Sequence, residues 1–438
     1  MNQNTQSQLR RMIAVPVILA LSAIILVSII RGTPTASSSF PLKVSSNRRY
    51  LVQADGTTAY YPIADTAWMI YWSVSREDTE LYLENRRLKG FNTINTSALP
   101  MPDISATNFY GQKPFINDDM ATPNDAYFAQ VDWVINKAAE KGLLVLLGPA
   151  WARDYSDNLN AAKARSFGRY MGKRYKNFDN IIWFMGGDVY TPSAIQLTYA
   201  REMAAGIQEF DTRHLISYHP GGLRSSFTWF YKDGWLAFNT IQTYNPASTA
   251  AYSMLISDYN RSPVKPTWNM EPSYENENGN TPYNVRLATG WSAFSGAFGI
   301  SYGSPLWRMG TIANWKNSLD LAGAMYFTNI GKAIQARAFE KLVPDKGHKM
   351  LTAGSGFGQS FASAARASDG SFGMIYLPTA RAITIDMTQF NGSKTIKWFD
   401  ATNNIYTTLG TFANTGIQKL PARPNNSAGQ SDWLLVIE

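Results

Sequence analysis

The sequence predicts an α/β protein, a (β/α)8 TIM barrel followed by a small all-β sandwich. Between Tyr60 and Pro305, eight short apolar runs alternate with amphipathic segments. After about Glu340 the texture changes to short β-prone runs split by Gly, Asn and Asp turns. At 438 residues the chain also exceeds one ordinary core, which asks for two folded units of unequal size. The expected division is 1–39 for a leader, 40–340 for the barrel and 341–438 for the sandwich.

The leader holds Arg10, Arg11 and Arg31 with no acid, and residues 12–30 carry no charge. A cleaved signal has an apolar region of about 7–15 residues, and a membrane-spanning helix needs about 20. This stretch lies nearer the anchor, yet Thr35-Ala36-Ser37 offers a small-residue cleavage site. Both readings stand. Either one exports the remainder to an extracellular or periplasmic location, held at the membrane where the helix is kept. Residues 40–53 and the Asp55-Gly56 turn suggest a hairpin that closes the barrel base or packs on the sandwich.

The net charge of +8 resembles a nucleic-acid signal only until it is divided along the chain. The 40 basic side chains less the three leader arginines leave 37 against 32 acids, without a Lys/Arg run. No nucleic-acid partner is expected. The absence of cysteine excludes disulfides, thiolate nucleophiles and thiolate metal sites. Asparagines 95, 260, 391 and 425 open glycosylation sequons, a pattern common by chance.

The eight runs are residues 61–64, 91–94, 143–148, 181–185, 215–218, 238–241, 267–270 and 298–302. Apolar on successive residues, they suit strands buried on both faces, as in a parallel sheet covered by helices. Ser75 and Gly90 punctuate a helix over 76–89, and Asn124 or Asp125 opens another that Gly142 closes. Ile195, Tyr199, Met203 and Ile207 mark a four-residue stripe expected to face the core. Residues 97–124, rich in Pro, Asn, Asp and aromatics, lengthen the second strand-to-helix loop on the face where barrel active sites lie. In the C-terminal unit, strands are expected at 371–377, 382–387, 394–399, 405–408 and 433–436.

Reading the residues that end each barrel run gives Asp65, Asn95, Pro149 with Trp151, Asp188, His219, Gln242 with Tyr244, Glu271, and Tyr302 with Ser304. One mouth of the barrel is therefore expected to be lined with donors, acceptors and carboxylates. Glycoside cleavage needs two carboxyl groups flanking the bond, and Asp188 and Glu271, on strands 4 and 7, lie on opposite sides of that mouth. Their repulsion is expected to raise the pKa of the more buried one. Asp188 could instead cap the helix after Pro192, but four intervening residues make that awkward. Glu271 could instead serve a salt bridge, and Glu275 is its closest impostor. Asp65 reads equally as a sugar-hydroxyl acceptor or a helix cap. A lone histidine is often structural, but His219, between Tyr218 and Pro220-Gly221-Gly222, is expected to touch substrate. Trp68 and Trp307 complete the expected sugar contacts.

Other chemistries fail on residue supply. Three histidines, His214, His219 and His348, give no HExxH pair and no evident zinc set. Ser355 in Gly354-Ser-Gly-Phe-Gly358 is out of register for a nucleophile elbow, and no phosphate or dinucleotide loop follows a predicted strand. No cofactor or metal is called for.

Several stretches resemble the apiosidase-like glycoside hydrolases: Pro41-Leu-Lys-Val-Ser45, Arg49-Tyr50-Leu51, Asp65-Thr-Ala-Trp68, Lys89-Gly-Phe-Asn92, Asn180-Ile-Ile-Trp183, Gly186-Gly-Asp188, His219-Pro220, and Glu271-Pro272 with Tyr274-Glu275. The resemblance implies a barrel with a C-terminal β-sandwich and retaining hydrolysis, Asp188 being the acid/base and Glu271 the nucleophile. Relatives usually carry Gly where Ala64 stands. Tyr376-Leu-Pro378 and Asp432-Trp433 resemble a collagen-binding-type domain, read here as a structural companion or carbohydrate-contacting module. The expected function is exo-acting, retaining hydrolysis of plant or microbial polysaccharide side chains, with apiose as the sugar the family name suggests. The competing expectation is a non-catalytic surface protein that binds glycan or matrix through a retired barrel.

Overall fold

The computed structural model describes residues 39–152, 159–244 and 249–438. The leader and its apolar stretch lie outside the described residues, among which no helix is long and apolar enough to cross a membrane. All eight apolar runs become parallel strands: β1 (Ile63–Thr66), β2 (Thr93–Ser97), β3 (Leu144–Gly148), β4 (Ile181–Gly186), β5 (Ile216–His219), β6 (Asn239–Gln242), β7 (Thr267–Glu271) and β8 (Ile300–Tyr302). Six are continuous neighbours in the order β8-β1-β2-β3-β4-β5, and β6 pairs with β7. Single bridges, Ile216 to Leu236 and Thr267 to Ala297, join the two groups into a TIM-like ring.

Helices α1 (Arg76–Lys89), α2 (Asp125–Glu140), α3 (Ala161–Tyr175), α4 (Ala194–Gln208), α5 (Phe227–Phe230), α6 (Ala250–Tyr259), α7 (Pro282–Phe294) and α8 (Ala322–Gln335) alternate with the strands. Their ends follow the local chemistry. The Ser75 side chain accepts the Asp78 N–H at the start of α1, and Gly90 ends it with φ of 97°, a left-handed conformation that suits glycine. Ser193 and Gln196 form a capping box at α4. The expected α4 stripe holds only in part: Met203 and Ile207 are buried, but Ile195 is 52% exposed. Each four-residue step advances about 40° around a helix, so a strict period of four walks off the core face.

A small antiparallel sheet (Lys43–Val44, Leu51–Val52 and Ala59–Tyr60) precedes β1. Leu42 and Leu51 share a cluster with Leu144, Phe238, Trp268 and Phe298 near the strand starts. The N-terminal hairpin therefore closes the barrel base.

The C-terminal unit has strands β9 (Leu342–Pro344), β10 (Leu351–Ala353), β11 (Ser363–Ala367), β12 (Gly373–Leu377), β13 (Ile383–Asp386), β14 (Lys394–Asp400), β15 (Ile405–Phe412), β16 (Ile417–Leu420) and β17 (Trp433–Ile437). A six-stranded antiparallel sheet runs β9-β11-β12-β17-β14-β15, and a three-stranded one runs β10-β13-β16. Alternation along β17 shows what each face covers. Trp433, Leu435 and Ile437 pack toward the small sheet with Ile383 and Ile385, while Leu434 and Val436 pack with Trp291 and Phe327 of the barrel helices. Asp432 fastens this interface. It takes Arg286 Nε and Nη2 at 2.7 Å each, the Tyr376 hydroxyl at 2.9 Å and Asn426 Nδ2 at 3.0 Å.

Candidate active site

The β4 strand ends in three consecutive residues with positive φ: Gly186 at 88°, Gly187 at 128° and Asp188 at 52°. A Cβ on Gly186 would meet the His219 carbonyl at 2.5 Å, and one on Gly187 would meet the Trp151 ring at 2.4 Å. Only glycine lets the chain turn so tightly here, and the turn delivers Asp188 to the mouth. Gln242, ending β6, donates Nε2–H to Asp188 Oδ1 at 2.9 Å.

Glu271 ends β7 and is nearly buried. Its Oε2 lies 2.8 Å from His219 Nε2, and His219 Nδ1 donates to the Pro220 carbonyl at 2.9 Å. With Nδ1 carrying a proton for Pro220, an unprotonated Nε2 would set a lone pair against the carboxylate. The pair is therefore stable only with one further proton between them. Burial and the Asp188 charge push the Glu271 carboxyl above its ordinary range, against the lowering effect of His219 and the Tyr274 hydroxyl. Burial works to lower the His219 pKa, but the Glu271 and Asp188 carboxylates and the Pro220 carbonyl outweigh it and raise it. Both directions say the same thing: a proton is retained between His219 and Glu271.

One oxygen or nitrogen from each of Asp188, His219 and Glu271 lies within 4.8 Å of the others. These are donor types that can hold a divalent cation. The 2.8 Å His219–Glu271 contact is a hydrogen-bond distance, however, and a proton there already balances the charge.

The acids open into a cleft of about 410 Å³ lined by Trp68, Met69, Met101, Pro102, Trp151, Asp188, Gln242, Tyr244, Glu271, Tyr274 and Trp307. Residues 101 and 102, from the long second loop, wall the cleft without filling it. Trp68 donates Nε1–H to the Tyr274 hydroxyl at 2.9 Å, and its ring centroid lies 4.9 Å from that of Trp151. The two tryptophans also flank His219, at 5.6 and 5.0 Å between centroids.

Asp188, Glu271, Trp68, Trp151, Gln242, Tyr244 and Trp307 thus meet in one cleft, and four other expected contacts do not. Asp65 neither caps a helix nor reaches the mouth. It is buried behind β1, 2.7 Å from Arg86 Nε, and accepts the Tyr82 hydroxyl at 2.7 Å. Tyr302 faces the same helix layer and donates to Glu275, the impostor carboxylate, which also accepts the Gly323 N–H at 3.1 Å. Asn95 lies inside the barrel and donates to the Met270 carbonyl at 3.3 Å. His219 is fully buried beneath the tryptophans and touches Glu271 where substrate contact was expected. For Asp65 and Tyr302 the reason is parity: successive strand residues face opposite sides, so Ala64 joins the interior cluster while Asp65 and Tyr302 point outward. The Ala64 methyl accordingly bears on the interior and not on Asp65. Tyr274 entered the sequence reading only as part of a family stretch, with no role in the site, and Glu277 escaped it because it lies beyond the strand end, although the run Asn276-Glu-Asn-Gly-Asn280 is a turn signal.

Residues 45–341 match the family described as "Apiosidase-like, catalytic domain". The chain belongs to the apiosidase-like family. This apiosidase-like chain is a glycoside hydrolase in fold and family. Residues 343–438 match a domain described as "Putative collagen-binding domain of a collagenase". A solved structure titled "Glycoside hydrolase" is 26% identical, with a TM-score of 0.83 over 91% of this chain and 97% of its own. A glycoside hydrolase family 5 protein from Bacteroides vulgatus shares the fold at 23% identity and TM-score 0.82, over 90% of this chain and 93% of its own. No curated protein matches the chain.

Proposed function

We propose that this apiosidase-like enzyme is an exo-acting, retaining glycosidase that trims side chains from plant or microbial polysaccharides by double displacement. One observation carries the proposal: Asp188 and Glu271 bring carboxylate oxygens within 4.8 Å of each other on one cleft. Retaining enzymes hold the two carboxyl groups about 5–5.5 Å apart and inverting ones about 6.5–9.5 Å, to admit a water between acid and sugar, and a closest approach of single oxygens within 4.8 Å supports the retaining spacing.

In this reading Asp188 protonates the leaving oxygen while the Glu271 carboxylate attacks the anomeric carbon, forming a glycosyl ester. Asp188 then takes a proton from water, which hydrolyses the ester and returns Glu271. Glu271 attacks only as an anion, and its burial opposes ionisation. The proton held on His219 Nε2 offsets that cost by making the pair neutral overall. Trp68, Trp151 and Trp307 offer faces to the sugar ring. A cleft near the lower end of the usual range of about 300–1,000 Å³ suits a chain end better than a chain interior. Apiose is the first sugar to test, on the strength of the family alone.

The test separates the two acids. Glu271→Ala should abolish turnover of every substrate, while Asp188→Ala should spare aryl glycosides whose leaving group needs no proton. Equal loss on both substrate types would refute the assignment. Export belongs to the same proposal, supported by Arg10-Arg11 before the uncharged residues 12–30. Recovery of the full-length protein in the cytosolic fraction of its host would contradict it.

A further inference from the structure

We propose that Glu277 is a positioning residue whose carboxylate ties three barrel loops into the wall that closes the cleft beyond the nucleophile, and so restricts the enzyme to chain ends. The inference rests on the glycosidase reading above. Glu277 lies six residues past Glu271, outside the cleft lining, and its side chain is 10% exposed. Its Oε2 accepts the hydroxyl of Tyr244, from the loop after β6. Its Oε1 accepts Trp307 Nε1–H at 2.7 Å and lies 3.3 Å from Arg308 Nη2, both from the loop after β8. One carboxylate therefore gathers donors from both neighbouring loops, and two of those donors, Tyr244 and Trp307, line the cleft.

The backbone around Glu277 is made to hold it still. Asn276 and Asn278 sit at φ of 60° and 50° and Gly279 at 76°, left-handed positions that Asn and Gly adopt readily. The Asn276 N–H donates to the Asn280 carbonyl at 2.9 Å, and the Asn280 N–H to the Glu277 carbonyl at 2.8 Å, so the turn closes on itself. The grip then passes inward. The Tyr244 ring stands edge-on to Tyr274 at 5.1 Å, and the Tyr274 hydroxyl receives Trp68 Nε1–H at 2.9 Å. Tyr244, Tyr274 and Trp307 thus form a wall beside Glu271, on the side of the ring that contains the attacked carbon and away from the leaving group. A longer glycan could pass that point only if the wall opened.

The chemistry of the clasp explains its choice of residue. A carboxylate offers two oxygens with about four acceptor sites and accepts all three donors at once. Alanine accepts none, and the two ring donors would turn to solvent. Glutamine keeps an acceptor for Trp307 but loses the charge that draws Arg308.

The experiment uses the purified full-length protein with branched plant cell-wall oligosaccharides, following both kinetics and the size of the released product. Glu277→Ala should raise KM about tenfold, the scale of one lost charge-assisted hydrogen bond, and lower kcat much less. It should also begin to release di- and trisaccharides where the wild type releases one sugar. Glu277→Gln should fall between the two, and circular dichroism with a thermal scan shows whether each variant is folded. An active wild type together with a folded Glu277→Ala enzyme of unchanged KM and product size would overturn the clasp alone. A wild type that releases no sugar from any oligosaccharide would overturn the glycosidase reading and the clasp with it.

Discussion

At the barrel–sandwich interface, Asp432 meets both ends of the Arg286 guanidinium and accepts two further donors, Tyr376 and Asn426. At the barrel mouth, Glu271 has one ion-pair partner, His219, and faces a second carboxylate, Asp188. Both acids are buried. The difference lies in how completely each is satisfied. Asp432 sits among fixed donors, as a group does whose work is to hold two domains in register. Glu271 is pushed toward its protonated form by burial and by Asp188, and the proton shared with His219 and the Tyr274 hydroxyl hold it back. Such tension serves no structural end, and strongly perturbed acids in clefts are where chemistry is found.

The contrast is broken most severely at the mouth itself. Glu271→Ala should cost about 10⁴-fold or more in kcat/KM while leaving the thermal midpoint unchanged or raised, since it deletes a buried acid that burial disfavours. A collapsed midpoint would make Glu271 a structural residue after all.

The interface should respond in the opposite way. Asp432→Ala leaves Arg286 buried without its partner, and chemical denaturation should show a loss of about 3–5 kcal/mol with kcat unchanged in the molecules that remain folded. Replacing both partners by apolar residues of similar size should recover most of that loss. If Asp432→Ala abolished turnover at full stability, the interface would have to be counted as part of the site.

His219→Gln probes the shared proton. Without the imidazolium, only the Tyr274 hydroxyl still opposes the burial of Glu271, so its pKa should rise further and the acid limb of kcat/KM should move to higher pH. The wild type has a matching stability signature. The folded pKa values of both His219 and Glu271 are raised, so their contribution is complete below their unfolded values and is lost as pH rises through the folded ones. Urea unfolding across pH, compared with Glu271→Gln, should show a loss toward alkaline pH that the variant lessens. An unmoved acid limb in His219→Gln would remove His219 from the account.

The smallest effect is expected at Gln242→Leu, which deletes the Nε2–H bond to Asp188. A fall of about tenfold in kcat is the scale of one hydrogen bond to a charged group, with the loss largest on substrates whose leaving group needs protonation.

Much of this comparison was legible in the residues. Eight apolar runs gave eight strands, because a barrel strand is covered by helices outside and side chains inside and has no polar face to interrupt its pattern. Gly186-Gly187-Asp188 and Glu271-Pro272 announced the mouth. The parity of Asp65 and Tyr302 was harder to read, since a single polar residue at a strand end carries no mark of which side it faces. In the sandwich, Ser363–Ala367 and Leu342–Pro344 escaped notice because small side chains and proline replace the usual β-branched pattern, although both become strands of the larger sheet. Asp432 was noticed only beside Trp433. Its partner Arg286 lies 146 residues away, and a contact of that separation leaves no local trace.

The account stands most directly on one measurement: mass spectrometry of the enzyme during turnover of an activated 2-deoxy-2-fluoro glycoside of the sugar it releases. The account predicts a covalent adduct of one glycosyl unit, mapped by peptide digestion to Glu271, and no adduct in Glu271→Ala. Turnover without any adduct, or an adduct on another residue, would contradict it.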